Sequence, residues 1–286
     1  MLPPCLRADL HCHSLYSDGV LPPAALAQQA HAAGVQLWAL TDHDTLDGQH
    51  EARQAAHAQG LTWVSGVEVS ASWAGHTIHI VGLGVDTQHP GLQQLLQAHR
   101  ASRPLRAQAM AQQLQALGVA DAYSGALRHA GHPDRLSRTH LARHLVESGR
   151  CQSVAEVFRH YLSAGKPGYV PPAWAGVGPV VAQIRAAGGV AVLAHPARYK
   201  LRALQEAALF DAFAQAGGQA LEVSTSTHSP AQVQQYAAVA RQRGWAASVG
   251  SDFHSPHESR HALGQTPPLP RDVLPIWSLL QPRWAP

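Results

Sequence analysis

Nowhere does this 286-residue chain stay apolar for the roughly 20 residues that a membrane-spanning helix needs. Its longest apolar stretches are broken by Gly, His or Gln, so no membrane segment is expected. Residues 1–9 also lack the charged region and apolar run of a secretory leader, which makes cytoplasm the expected location. Cysteine is scarce. Cys5, Cys12 and Cys151 show no paired spacing, arguing against a disulfide framework or a thiolate zinc site and leaving ordinary thiols. With 45% hydrophobic residues, the length suffices for one large domain or a barrel carrying an insertion.

Histidine is abundant: 20 residues. His31, His50, His57 and His99 sit among Ala and Gln in helical stretches and read as surface or packing residues, so position must select the functional ones. Short β-branched or aromatic runs alternate with stretches of helical period, the pattern of βα units around a mainly parallel sheet. Strands are expected at 7–13, 36–41, 62–70, 76–83, 189–195, 220–224 and 245–251. Helices are expected at 22–33, 48–59, 204–216 and 230–243, the first opening with proline. This order predicts an α/β fold, a distorted seven-stranded (β/α) barrel in two parts, 1–98 and 170–286. Between them, residues 99–169 lose the strand signal and read as a helical insertion, with helices near 104–117 and 138–148. That insertion holds ten Arg and Lys against four Asp and Glu, whereas the remainder holds eleven against fourteen. A basic insertion on an acidic barrel is implied, although a solvated helix surface accounts for such charge as well. Residues 265–286, rich in Pro and Trp, are expected to wrap the barrel without chemistry.

In Asp9-Leu10-His11-Cys12-His13, strand alternation puts His11 and His13 on one side, about 7 Å apart, and Cys12 on the other. Asp9 shares their face and is placed to accept a hydrogen bond from a ligand histidine. The same chemistry recurs where other strands end: Thr41-Asp42-His43-Asp44, Gly66-Val67-Glu68, His76 and His79, Ala194-His195-Pro196, Leu221-Glu222-Val223 and Gly250-Ser251-Asp252-Phe253-His254. Strand ends of a barrel converge on one mouth, so these residues are expected to meet. Imidazole with carboxylate and no thiolate suits Mn²⁺, Zn²⁺ or Fe²⁺, and carboxylates can bridge two cations.

Taken in order, Asp-x-His-x-His-Ser with Ser17-Asp18-Gly19, Thr-Asp-His-Asp, Gly-x-Glu, His79, Ala-His-Pro and Gly-Ser-Asp-Phe-His resemble the motif series of the polymerase-and-histidinol-phosphatase (PHP) family across nearly the whole chain. The resemblance implies three cation sites: His11, His13, Glu68 and Asp252; Glu68, His79 and His195; and His43, His254 and Asp18, the last at a position where some members carry His. It implies two or three divalent cations, Mn²⁺ foremost, with Glu68 bridging. Asp42 joins Asp9 as a supporting carboxylate, and Glu68, His195 and His254 are the expected catalytic groups.

The short Ser-Asp-Gly form, the insertion, Ser137-Arg138-Thr139-His140, 165–170 and His228 resemble the branch of nucleoside 3′,5′-bisphosphate phosphatases and 5′-to-3′ exoribonucleases. Phosphomonoester hydrolysis is then expected, by hydroxide held between two cations attacking phosphorus in line. Arg138 and Lys166 are the expected phosphate-binding residues, with Arg135, Arg143, Arg198 and His228 as further candidates. The expected substrate is a small phosphorylated nucleotide, with short RNA as the alternative. Histidinol phosphate and amide substrates fit the basic insertion less well, an inactive nucleic-acid-binding barrel fits the complete motif series poorly, and no protein partner is inferable.

Overall fold

The computed structural model describes residues 6–280, so Cys5 and the end of the tail lie outside the described residues. Two compact units emerge, Met1–Leu96 with Trp174–Pro286, and Gln97–Ala173.

In the first unit the elements alternate as the sequence periodicity implies. Strand β1 (Ala8–Asp9), helix α1 (Pro23–Ala32), β2 (Leu37–Ala39), α2 (Gln49–Ala58), β3 (Thr62–Val64), β4 (Gly66–Trp73) and β5 (His76–Leu83) lead into helix α3 (Pro90–Ala116). After the second unit's α4 (Ala122–Ala130), α5 (Arg138–Glu147) and α6 (Val154–Val157), the first resumes with α7 (Val177–Ala186), β6 (Val190–Leu193), α8 (Ala203–Gln215), β7 (Ala220–Thr225), α9 (Pro230–Arg243) and β8 (Ala246–Gly250). Local chemistry sets several ends. Pro23 opens α1, where its missing N–H has no intrahelical partner to lose. Ser229 and Gln232 form a reciprocal cap on α9, and Gly244, at φ 64°, closes it in the left-handed region, as glycine does without a Cβ penalty.

The fold is α/β with mixed sheets, and two features of its sheets depart from the seven βα units expected of a distorted barrel. First, the run at 62–70 is two strands. β3 completes a parallel three-stranded sheet β1-β2-β3, and the chain then passes at Ser65 into β4 of a five-stranded sheet, β4-β5-β6-β7-β8. Second, β5 is antiparallel to both β4 and β6. Its cause is the two-residue connection Ala74-Gly75, with φ of 46° and 80°, a turn whose twist suits a hairpin and no crossover. Single bridges and hydrogen bonds link the sheets: Leu10 N–H donates to Val249 O, His13 N–H to Phe253 O, and His43 pairs with Glu68.

Strands of both sheets contribute to one apolar cluster that includes Ala8, Leu37, Val64, Val81, Val192, Ala220 and Ala246, with Ile276 and Trp277 of the tail. A larger cluster packs α7, α8 and α9 against the five-stranded sheet through Val180, Ile184, Leu209, Phe213 and Tyr236. A third joins α1 and α2 to Trp38 and Trp63. Strands buried on both faces read as continuous apolar runs, as Val190–Leu193 does.

The second unit has its own core, formed by Met110, Leu114, Ala126, Leu141, Leu145, Val157 and Leu162. Helix α3 begins earlier than the expected 104–117 and carries Pro104 inside it.

The exit of β8 is packed directly on the His11 backbone: a Cβ at Gly250 would lie 2.2 Å from His11 Cβ and 2.7 Å from His11 N. Gly250→Ala is therefore expected to cost about 1–3 kcal/mol, the scale of overpacking, measured by denaturant unfolding. An unchanged midpoint would show that the contact relaxes freely.

Candidate metal centre

Every strand-end motif named above except His76 and the Leu221-Glu222-Val223 carboxylate places a side chain around the carboxylate of Glu68, which is fully buried at the start of β4. Glu68 Oε1 lies 3.3 Å from His11 Nε2, 2.9 Å from His79 Nδ1 and 3.0 Å from His195 Nε2. Its other oxygen, Oε2, lies 3.2 Å from His13 Nε2 and 2.9 Å from His43 Nδ1. Asp252 Oδ1 stands 3.2 Å from His13 Nε2 and 3.6 Å from His11 Nε2. Asp18 Oδ1 is 3.4 Å from His254 Nε2 and 3.8 Å from His43 Nε2.

Three sets of donor atoms converge closely enough for a cation: His11, His13, Glu68 and Asp252; His13, Asp18, His43 and His254; and His43, Glu68 and His79. The first repeats the expected grouping. In the second His13 joins the expected trio. In the third His43 replaces His195, although His195 faces the same Glu68 oxygen.

Supporting contacts differ more from expectation. Asp9 does not accept from a histidine ring; its carboxylate takes the backbone N–H groups of Ser251 (2.8 Å) and Gly264 (2.6 Å), so it fastens the exit of β8. The role foreseen for Asp9 falls to Glu222. One of its oxygens is 3.0 Å from His11 Nδ1 and the other accepts His195 N–H at 2.6 Å. Glu222 sits on β7, and its place in the strand-end motif Leu221-Glu222-Val223 is the signal that could have found it. Asp42 accepts from Ser14 N–H, Ser14 Oγ and Ser17 Oγ, and Ser17 Oγ lies 3.4 Å from His13 Nδ1. Asp44, at φ 52°, accepts both the N–H and the hydroxyl of Ser70. His195 and Asp252 also have positive φ, 28° and 52°; non-glycine residues adopt such angles at a cost that clusters at functional sites. Cys12 points away as expected, its Sγ donating to Ala39 O and accepting from Trp38.

Electrostatics follow from burial and charge together. Burial pushes His13 down, but the Asp252 and Glu68 carboxylates beside it prevail and raise it to about 10. His11 is likewise raised, because Glu68, Glu222 and Asp252 outweigh its burial. Burial works to raise Glu68, yet the surrounding histidines, His43 first, hold it well below the usual carboxylate range. Asp252 is lowered against its burial by Arg198 and His11. His195 goes the other way: burial and the Arg198 charge depress it to about 4.

These residues fit divalent cations. Buried His43 Nδ1, His79 Nδ1 and Glu68 Oε2 make no hydrogen bond of acceptable geometry although opposing atoms stand 2.9–3.2 Å away, and His11 Nε2 and His13 Nε2 approach to 3.3 Å. Nitrogen and carboxylate lone pairs gathered in this way are a ligand set for borderline cations.

Arg198 pairs with Asp252 Oδ2, beside the cluster. His228 is buried, its Nδ1 3.0 Å from Val223 O and its ring against Tyr236, and it is not among the residues around Glu68. Arg135, Arg138, Arg143 and Lys166 belong to the second unit. There Arg138 donates to Leu162 O at 3.3 Å and lies over the Phe158 ring, Arg143 is buried on α5, Arg135 ends a short turn and Lys166 is exposed. A cavity of about 590 Å³ beside α2, lined by His50, Arg53, His57 and Trp63 among others, contains none of the cluster residues.

The model of the PHP domain matches residues 9–166. The chain belongs to the PHP family. A 3′,5′-nucleoside bisphosphate phosphatase of Chromobacterium violaceum is 46% identical over 276 residues, 96% of each chain. The 5′-3′ exoribonuclease Rnm of Escherichia coli is 42% identical over 273 residues, 95% of this chain and 92% of its own. Among solved structures, a Chromobacterium violaceum chain described as an amidohydrolase, with bound sulfate and no metal, superposes with a TM-score of 0.92 at 45% identity, covering 96% of this chain and 95% of its own. This PHP protein is a hydrolase of the phosphatase and exoribonuclease branch. Among the described residues no helix is long and apolar enough to cross a membrane.

Cation binding and proton binding compete at His11 and His13. The carboxylates beside them shift both imidazoles toward the protonated form in the metal-free cluster, and a cation takes only the bare nitrogen. Uptake of Mn²⁺ at pH 7 is therefore expected to release about one to two protons per chain, and to weaken as pH falls. Calorimetric titration in buffers of different ionisation enthalpy measures this; heats independent of buffer would contradict the assignment.

Proposed function

We propose that the protein hydrolyses the 3′-phosphate of nucleoside 3′,5′-bisphosphates, such as 3′-phosphoadenosine 5′-phosphate, with two or three divalent cations, Mn²⁺ first among them. The observation that carries this reading is the convergence of five imidazoles and Asp252 around one buried carboxylate, Glu68, in a chain 46% identical over nearly its full length to a nucleoside bisphosphate phosphatase. His11, His13, Asp18, His43, Glu68, His79, His195, Asp252 and His254 are the proposed cation ligands, in the distorted seven-stranded barrel of the family. When bound, the cations acidify water and polarise phosphoryl oxygens.

The protein's own groups determine how that chemistry is held. Glu68, held ionised, offers one oxygen to each side of the cluster. Its neighbours His195 and His254 are the other proposed catalytic groups. His195 stays neutral at pH 7, since its pKa is depressed to about 4, so it serves as a lone-pair donor and not as the acid that protonates the leaving oxygen. Arg198 fixes the orientation of Asp252 through its outer oxygen and brings positive charge next to the site, where charge builds up on a transferring phosphoryl group.

The choice of a doubly phosphorylated substrate rests on charge. A cation cluster engages the phosphoryl group being transferred, and residues 99–169 carry a net charge of +6, ten Arg and Lys against four Asp and Glu. A second phosphate gives that charge a partner; Arg138 and Lys166 are proposed for it, with Arg135, Arg143 and His228 as further candidates. Binding at the remote group then helps position the reacting one.

The similarity to exoribonuclease Rnm supports one alternative, 5′-to-3′ hydrolysis of short 5′-phosphorylated RNA, which also presents several phosphates. Comparison of kcat/KM with Mn²⁺ for the 3′,5′-bisphosphate, the 3′-monophosphate, histidinol phosphate, an amide panel and a short 5′-phosphorylated RNA separates these. The bisphosphate is expected to exceed the 3′-monophosphate by about 10-fold or more, the scale of one hydrogen bond to a charged group. Equal rates would defeat the two-phosphate reading, and faster turnover of RNA would put the exoribonuclease first.

A further inference from the structure

His79 and His195 come from different strands, separated by more than a hundred residues, yet both present a nitrogen to the same oxygen of Glu68, at 2.9 and 3.0 Å. Strand pairing alone does not fix this. The β5–β6 ladder runs between Ile80–Leu83 and Val190–Leu193, so both histidines lie just beyond its end, where Ala194 N–H donates to His79 O at 3.1 Å.

One side chain extends the connection. After His195 the chain turns through the short helix Pro196–Tyr199, which returns the Tyr199 side chain to the gap. Its hydroxyl is 2.8 Å from Ala194 O, accepts His79 N–H at 3.0 Å, and lies 3.3 Å from His79 O. Its ring meets the His195 ring edge-on, with centroids 5.5 Å apart. A single phenol thus holds the backbone of one histidine, the residue before the other, and the second ring itself.

We propose that Tyr199 is a positioning residue for the cation held by His79, His195 and Glu68, setting the separation of the two imidazoles without touching the cation or the substrate. Loss of the hydroxyl leaves the strand ends joined through Ala194 N–H and His79 O alone, while loss of the ring removes the wall behind His195. The hydroxyl remains protonated at neutral pH, because burial pushes the phenol well above its usual range, and so it is available to donate to Ala194 O. The proposal rests on reading the Glu68 cluster as a cation centre, and the test separates the two.

Tyr199→Phe keeps the ring and deletes only the oxygen. Cation content of wild type and variant is read by elemental analysis across a Mn²⁺ titration, alongside the unfolding temperature of the metal-free proteins and kcat as a function of Mn²⁺. The variant is expected to need about 10- to 100-fold more Mn²⁺ to fill one of its cation sites, the usual cost of losing a group that orients a ligand. The remaining cations and the metal-free unfolding temperature stay as in wild type, and kcat recovers at high Mn²⁺ with KM unchanged. Unchanged occupancy overturns the proposal, as does parallel loss of every cation with a lower unfolding temperature, or failure of the variant to fold, since these mark a structural role. A wild type that binds no cation fails the cluster reading itself and is recognised before the variant is compared.

Discussion

Everything in the first unit is arranged around a carboxylate that is taken out of water. Ionised Glu68 is fully buried, and desolvation of such a charge is costly unless it is matched by opposite charge or by donors directed at it. Five histidines from four strand ends surround it, and the nearby imidazoles, His43 first, hold it ionised against its burial. The same requirement explains why the neighbouring backbone adopts unfavourable angles at His195 and Asp252: each directs a side chain inward at the point where its strand ends.

Around that centre, a second layer of acids works on backbone and ring nitrogens. Glu222 holds His11 through its ring and His195 through its N–H. Asp42 holds Ser14 and Ser17 next to His13, and Asp44 anchors Ser70, two residues from Glu68. The carboxylates beside His11 and His13 favour the protonated forms of these imidazoles in the metal-free cluster, so a cation bound there would compete with those protons.

Much of this was legible in the sequence because it depends on residue type at strand ends. His11, His13, His43, Glu68, His79, His195, Asp252 and His254 could be chosen among so many histidines and acids by that rule. What stayed hidden depends on contacts between distant segments. Asp9 shares a face with His11, but nothing local shows that the Ser251 and Gly264 amides arrive to take its oxygens. Glu222 was visible as a strand-end acid, not as the partner of both His11 and His195. Tyr199 carries no local signal, since its role exists only where β5 and β6 separate. In the fold, the break at Ser65 is hidden because strand-forming residues flank it on both sides, Trp63-Val64 before and Val67-Glu68-Val69 after, and the reversal at Ala74-Gly75 is only half marked, by Gly75, because alanine occupies the other left-handed position.

The central claim is that Glu68 is shared by more than one cation. Elemental analysis after saturation with Mn²⁺ and removal of excess metal tests it directly in wild type and in Glu68→Ala. Two or three cations per chain are expected in the wild type, with at least two lost together in the variant, because both oxygens of the one carboxylate are removed. A wild type that retains at most one cation at every pH near neutral, or a variant that loses only one, would contradict the account.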